Sequence, residues 1–65
     1  MNKNILEELG FYEIEENEFA WDDDSKGITL MMDLNFSYIE VFEDGELIED
    51  SNNLKEIFKI IAKYI

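Results

Sequence analysis

The sequence has no cysteine, histidine, arginine, proline or glutamine, and only five lysines and three glycines among its 65 residues. Without cysteine there is no disulfide framework. Without cysteine and histidine there is also no soft-ligand zinc site and no thiol or imidazole catalytic group. Three isolated glycines cannot form a glycine-rich phosphate-binding loop. These absences argue against most small enzymes and metalloproteins.

Long hydrophobic runs are absent too, since no run exceeds three residues, as in Leu30–Met32 and Ile60–Ala62. A secretory signal needs about seven or more apolar residues in succession, and a membrane helix needs about 20. We therefore expect a cytoplasmic protein with no membrane partner.

The chain does contain enough apolar side chains to fold. Hydrophobic residues make up 46% of it, and nine residues are aromatic. This apolar surface offsets the entropy cost of ordering the chain despite the high charge. Because 65 residues leave no room for a second core, we expect residues 1–65 to form one small acidic domain.

Hydrophobic spacing predicts a helix followed by strands. Residues 3–9 follow helical spacing, and Gly10 follows them as a C-terminal cap. From residue 11 the period becomes two, which is typical of strands. Turns are predicted at Glu16-Asn17, at residues 22–27, at residues 35–37 and at Asp44-Gly45, with the fifth strand over residues 46–49.

The C-terminal segment predicts an amphipathic helix. Asn53, followed by Glu56 three residues later, is typical of a helix start. One wide apolar stripe then contains Leu54, Ile57, Phe58, Ile60, Ile61, Tyr64 and Ile65. The order of elements predicts an α+β fold. It is an antiparallel meander sheet of about four to five strands, with a short N-terminal helix and the C-terminal helix on one face.

The charge is strongly one-sided. The formal net charge is -12, and residues 7–50 hold sixteen of the seventeen carboxylates with one lysine, Lys26. Solubility of a small domain needs a net charge of only about 2–8, and self-repulsion weakens the folded state. Two interpretations remain open: a heavily solvated surface, or a surface that meets a basic partner by imitating nucleic-acid phosphates.

Other chemistries fit the residues less well. Asp22, Asp24 and Asp33 fall at the first, third and twelfth places of a calcium loop, but Lys26 takes the fifth place, where an oxygen ligand is needed. So short a chain rarely encloses a pocket that tunes two carboxylates for catalysis. We therefore expect no enzyme, no metal and no cofactor. The carboxylates also argue against direct nucleic-acid binding.

The aromatic residues exceed what one core face needs. Alternate residues from Ile28 to Leu34, with Ile39 and Val41, already supply a core face. The residues left over are Tyr12, Trp21, Met31, Tyr38 and Phe42. Either differing strand registers bring them into the same core, or they form an exposed patch of the kind that marks interfaces. A self-complementary patch would give a homodimer.

We favour a non-enzymatic inhibitor or binding module whose acidic sheet face occupies the nucleic-acid channel of a basic protein. The candidate phosphate surrogates are Asp22, Asp23, Asp24, Glu40, Glu43, Asp44 and Glu46. The candidate anchors are Trp21, Tyr38 and Phe42. In composition and size the chain resembles phage-encoded DNA mimics that block restriction or CRISPR nucleases. This resemblance implies that the protein is an anti-CRISPR-like inhibitor whose partner is a basic DNA- or RNA-binding protein in the host-cell cytoplasm.

The alternative is a small structural or accessory homo-oligomer that associates through an apolar sheet face and uses its acidity only for solubility. Salt distinguishes the two. Binding by mimicry weakens as salt rises, whereas apolar self-association persists.

Overall fold

The computed structural model describes all 65 residues and contains five strands between two helices. The helices are α1 (Lys3–Glu8) and α2 (Leu54–Tyr64). The strands are β1 (Tyr12–Glu15), β2 (Glu18–Asp23), β3 (Ile28–Asp33), β4 (Tyr38–Glu43) and β5 (Glu46–Ser51). They form one open antiparallel sheet in the order β1-β2-β3-β4-β5. The predicted α+β meander is confirmed.

The hairpin turns follow from residues that tolerate a left-handed backbone. Asp44 and Gly45 have φ angles of 52° and 84°, as a type I′ turn requires, and this turn matches the twist of the paired strands. Asn17, in the β1–β2 turn, has a φ angle of 63°. Both predicted two-residue turns are therefore confirmed.

Two strands are longer than predicted. β2 continues to Asp23, so the β2–β3 turn covers residues 24–27, and β5 continues to Ser51. Asp23 pairs with Ile28, and Ser51 pairs with Ile39. Pairing with an apolar neighbouring strand thus keeps these polar residues in the sheet, although their own sequence favours a turn.

Side-chain caps begin both helices. The Asn2 side chain accepts a hydrogen bond from the Ile5 amide at 3.0 Å, and the Asn53 side chain accepts one from the Glu56 amide at 3.1 Å. Both predicted helices are confirmed. Neither has the length and apolar run that crossing a membrane would require.

The core lies between the helices and one face of the sheet, which we call the inner face. Its eleven buried residues are Leu6, Phe11, Phe19, Ile28, Leu30, Met32, Ile39, Val41, Ile57, Ile60 and Ile61. Leu6 comes from α1 and the last three come from α2, so both helices cover the same face, as predicted.

The apolar stripe of α2 is wider than the surface that the sheet covers. Ile57, Ile60 and Ile61 are buried at its centre, whereas Phe58, Ile65 and Leu54 remain exposed, Leu54 to 48%. The part of the stripe that faces away from the core is therefore left in solvent.

Both edge strands contain a bulge. The pairing of β1 with β2 skips Ile14, and the pairing of β4 with β5 skips Ile48. Consequently Tyr12 and Glu15, rather than Tyr12 and Ile14, share a face in β1. Bulges also interrupt the hydrogen-bonding pattern that an added strand would need, which protects the open edges from association.

Candidate functional site

The face of the sheet that points away from the helices, which we call the outer face, is not covered by any other element. Register and burial place thirteen residues on it: Tyr12, Glu15, Glu18, Ala20, Asp22, Thr29, Met31, Asp33, Tyr38, Glu40, Phe42, Leu47 and Asp50. Six of them are carboxylates and none is a lysine. This face is therefore both the acidic surface of the sheet and its unpartnered side.

Five outer-face residues form a continuous strip, which we call the apolar band. Its members, in order across the sheet, are Tyr12, Ala20, Met31, Phe42 and Leu47, one from each strand. Tyr12 pairs with Ala20, Ala20 with Met31, and Phe42 with Leu47; Met31 and Phe42 are diagonal neighbours. Tyr12 and Leu47, at its two ends, are 51% and 47% exposed.

Two tyrosines on this face are held by carboxylates. The Tyr12 hydroxyl donates to Asp22 at 2.5 Å, and the Tyr38 hydroxyl donates to Asp50 at 2.6 Å. Asp22 also accepts from the Thr29 hydroxyl at 2.8 Å. The hydrogen bond to Asp50, together with partial burial, raises the pKa of Tyr38 to about 12. The bond to Asp22 likewise raises the pKa of Tyr12. Both hydroxyls thus have a carboxylate partner within the protein itself.

Carboxylates face carboxylates directly across the strands. Four such pairs occur: Glu15 with Glu18, Glu18 with Asp33, Glu40 with Asp50, and Glu43 with Glu46. Like charges placed directly opposite each other destabilise a sheet. The first three pairs lie on the outer face and form what we call the acidic row, made of Glu15, Glu18, Asp33, Glu40 and Asp50.

A second group of carboxylates, the acidic end, surrounds the β2–β3 and β4–β5 turns. Its members are Asp23, Asp24, Glu43, Asp44 and Glu46. The two turns touch, because the Asp44 amide donates to the Gly27 carbonyl at 2.8 Å. Lys26 is the one cation in these turns.

Within the acidic end, the Asp23 carboxylate accepts two hydrogen bonds from a neighbouring residue. The Ser25 hydroxyl donates to it at 2.6 Å, and the Ser25 amide donates to it at 3.1 Å. The hydroxyl bond is the main reason that the pKa of Asp23 is lowered, with a further contribution from the nearby Lys26 charge. Asp23 therefore holds its negative charge more strongly than an unperturbed aspartate.

Ion pairs do not neutralise either group. The two ion pairs in the structure, Lys59 with Glu56 and Lys63 with Glu49, both involve lysines of α2 and both have a distance of 3.5 Å. The remaining cations are Lys3 on α1, Lys55 on α2 and Lys26. Four of the five lysines therefore lie on the helices, while the outer face is left uniformly negative.

A shallow depression of about 240 Å³ lies where the acidic row crosses the middle strands. Its outer-face lining is Glu18, Met31, Asp33, Tyr38 and Glu40. The depression combines three carboxylates with a tyrosine ring and a methionine side chain. Such a lining suits the end of a long cationic side chain, because it offers both opposite charge and an aromatic face.

The structure divides the ten residues singled out from sequence into three locations. Asp22, Tyr38, Glu40 and Phe42 lie on the outer face, and Asp23, Asp24, Glu43, Asp44 and Glu46 lie at the acidic end. Trp21 joins neither group. It has the same orientation as Phe19, is partly buried on the inner face and packs against the core. The alternation of β2 turns it away from Asp22, so it does not anchor the outer face.

Several residues of this surface were missed by the sequence argument. They are Tyr12, Glu15, Glu18, Met31, Asp33, Leu47 and Asp50. Tyr12 and Met31 had been noted as surplus apolar residues but not assigned to the site. The acidic row becomes visible only when the register of neighbouring strands is known, because its members lie as many as 35 positions apart in the chain.

Phe36 is a further feature that sequence analysis treated only as part of a loop. It is 76% exposed in the β3–β4 turn, the highest value among the large hydrophobic residues. The turn is held by Asp33, which accepts from the Asn35 amide at 2.8 Å and from the Phe36 amide at 3.3 Å. Phe36 therefore projects from an ordered turn at the end of the sheet opposite the acidic end.

Fold and surface together define a small α+β domain with a helix-covered inner face and an open, acidic outer face. No protein-family model, curated protein or solved structure matches the chain.

Proposed function

We propose that this protein is a non-enzymatic binding module that presents carboxylates in place of nucleic-acid phosphates to a basic DNA- or RNA-binding protein, and so inhibits it. The observation that supports this most directly is the set of four carboxylate pairs placed directly across the strands. A surface that needed only solubility would gain stability by replacing one member of each pair with lysine or a neutral residue.

The charge density is also close to that of a duplex. The molecule is 26 Å long, and duplex DNA of that length carries about 15 phosphates at one charge per about 1.7 Å. The protein has a formal net charge of -12 over the same length. A basic channel that accommodates DNA would therefore meet a similar potential, and opposite charge would also speed the encounter.

The setting that fits this function is the cytoplasm of a cell in which the target acts, and for a phage-encoded inhibitor that cell is the host. The targets that such a surface would suit include restriction and CRISPR nucleases, because their channels carry the lysines and arginines that hold nucleic-acid phosphates.

The experiment is capture of partners from a cell lysate on the immobilised protein, with elution by stepped salt and with or without excess duplex DNA. We expect a nucleic-acid-binding protein that DNA displaces and that elutes as salt rises. Recovery of only the protein itself, insensitive to salt, would instead support the homo-oligomeric accessory domain. Recovery of nothing that responds to DNA would overturn the proposal.

A matched pair of double variants tests the role of the acidic surface. Glu43→Gln with Glu46→Gln removes two charges from a directly opposed pair at the acidic end. Glu7→Gln with Glu8→Gln removes the same charge from α1. The first variant should bind the captured partner at least several-fold more weakly and yet be slightly more stable, by about 0.2–1 kcal/mol, because a repulsive pair is lost. Equal loss of binding in both variants would show that net charge alone matters.

A further inference from the structure

We infer that the outer face binds an amphipathic α-helix of the partner, one whose apolar stripe is flanked by lysines or arginines. This inference rests on the proposed function, because it specifies which element the basic partner presents. Two matches support it. The apolar band has the length of a short helix, and the carboxylates beside the band have the charge opposite to that of the basic residues on such a helix.

The band has the dimensions of a short helix. Four gaps of about 4.8 Å between the five strands give it a length of about 19 Å. A helix rises about 1.5 Å per residue, so about 13 residues cover that length. Ala20 is only 3% exposed between its neighbours Tyr12 and Met31, so its small side chain forms a low point of the band, while Tyr12 and Leu47, each about half exposed, would contact a helix at the two ends.

Carboxylates lie on both sides of the band. On one side are Glu18, Asp33, Glu40 and Asp50 of the acidic row, and on the other side is Asp22, next to the acidic end. A helix with basic residues on both flanks of its apolar stripe would place a positive charge against each group. The depression among Glu18, Asp33 and Glu40 would receive the end of one long basic side chain.

The surface is already ordered for binding. The Tyr12 and Tyr38 hydroxyls are held by Asp22 and Asp50, so fewer side chains lose freedom when a helix binds.

The surface fits two other modes of binding less well. Addition of a strand is opposed by the bulges at both edges, and stacking of two outer faces would bring two acidic rows together.

The test uses a model peptide of about 14 leucines and lysines, in which the leucines follow helical spacing and the lysines flank them. The control peptide has the same composition but alternates leucine with lysine, so that it has the same charge and no helical stripe. Binding to the wild-type protein is measured by calorimetry and by amide shifts in NMR spectra. We expect the helical peptide to bind at least tenfold more tightly and to shift amides of β2, β3 and β4.

Two protein variants locate the binding face. Leu47→Ser alters the apolar band, and Leu54→Ser alters a leucine of nearly equal exposure, 47% against 48%, on α2. We expect Leu47→Ser to weaken binding of the helical peptide at least fivefold and Leu54→Ser to leave it unchanged. Equal effects of the two variants, or equal binding of the two peptides to the wild-type protein, would overturn the inference.

The experiments can show that the helix-docking inference is wrong without contradicting the proposed function, and the reverse. If a DNA-displaceable partner is captured and Leu47→Ser does not weaken its binding, the mimicry stands and the helix-docking inference is wrong. If the helical peptide binds through the outer face but no captured protein responds to DNA, the docking surface stands and the nucleic-acid mimicry is wrong.

Discussion

The contact between the two turns of the acidic end can be tested by adding one methyl group. The Asp44 amide donates to the Gly27 carbonyl, and Gly27 has a φ angle of +67°. A Cβ atom built on Gly27 would collide with the Asp44 carboxyl group. We therefore predict that Gly27→Ala destabilises the fold through two separate effects.

The first effect is conformational. A non-glycine residue in the left-handed region costs about 1–2 kcal/mol, and the lower entropy of an unfolded chain with alanine returns about 0.4–1 kcal/mol. The second effect is displacement of Asp44, which adds to the loss. We expect a total of about 1–2 kcal/mol, a large fraction of the roughly 3–10 kcal/mol expected for a domain of 65 residues.

Gly45→Ala is the matched control. Gly45 also has a positive φ angle, +84°, but nothing lies within 4 Å of an added Cβ. It should therefore show only the conformational cost. Urea unfolding followed by Trp21 fluorescence measures both variants, since Trp21 packs against the core. Asp44→Gly, which removes the colliding carboxyl group, should reduce the cost of Gly27→Ala by about 0.5 kcal/mol or more.

A destabilisation by Gly27→Ala no larger than that by Gly45→Ala, or one that Asp44→Gly leaves unchanged, would show that the added methyl group does not collide with Asp44. Either result would mean that the two turns move independently. The acidic end would then not be a single ordered surface.

Three further predictions concern salt, pH and helix capping. Raising sodium chloride from 0.01 M to 1 M shortens the screening length from about 30 Å to about 3 Å. The Tm should therefore rise, because the opposed carboxylates repel each other less. A flat or falling Tm would contradict this prediction. The pKa of Tyr38 is raised from 10.0 to about 12, so its contribution to stability is complete below pH 10.0 and is lost as pH rises towards 12. Alkaline absorbance titration should accordingly show a last-ionising tyrosine that Tyr38→Phe removes. Asn53→Ala should cost about 1 kcal/mol and lower the Tm by about 4–8 °C, while Asn52→Ala, at the neighbouring exposed residue, should have little effect.

Local sequence patterns predicted the elements of this fold because each depends on residues close together in the chain. Asp44-Gly45 provides the positive φ angles of its turn, and Asn53 supplies its own capping oxygen to an amide three residues later. Alternation in β3 and β4 also identified the core face correctly. These local signals do not depend on how distant parts of the chain pack together.

The features that escaped prediction depend on which residue of one strand opposes which residue of another. The bulges at Ile14 and Ile48 change the face of every later residue in the strand, and only the partner strand reveals them. The opposed pair of Glu40 and Asp50 requires the same knowledge. Exposure of Phe58 likewise reflects how much of α2 the sheet can cover.

The helices carry four of the five lysines, whereas the outer face carries six carboxylates and no lysine, and this uneven distribution of charge affects how the molecule moves before contact. It gives the molecule a permanent electric dipole that runs through the sheet from the helices to the outer face. Within about 10 Å of a positively charged surface at 0.1 M salt, the field exerts a torque that turns the outer face towards that surface. Collisions that begin in the wrong orientation can thus be corrected by rotation rather than by separation and a new approach.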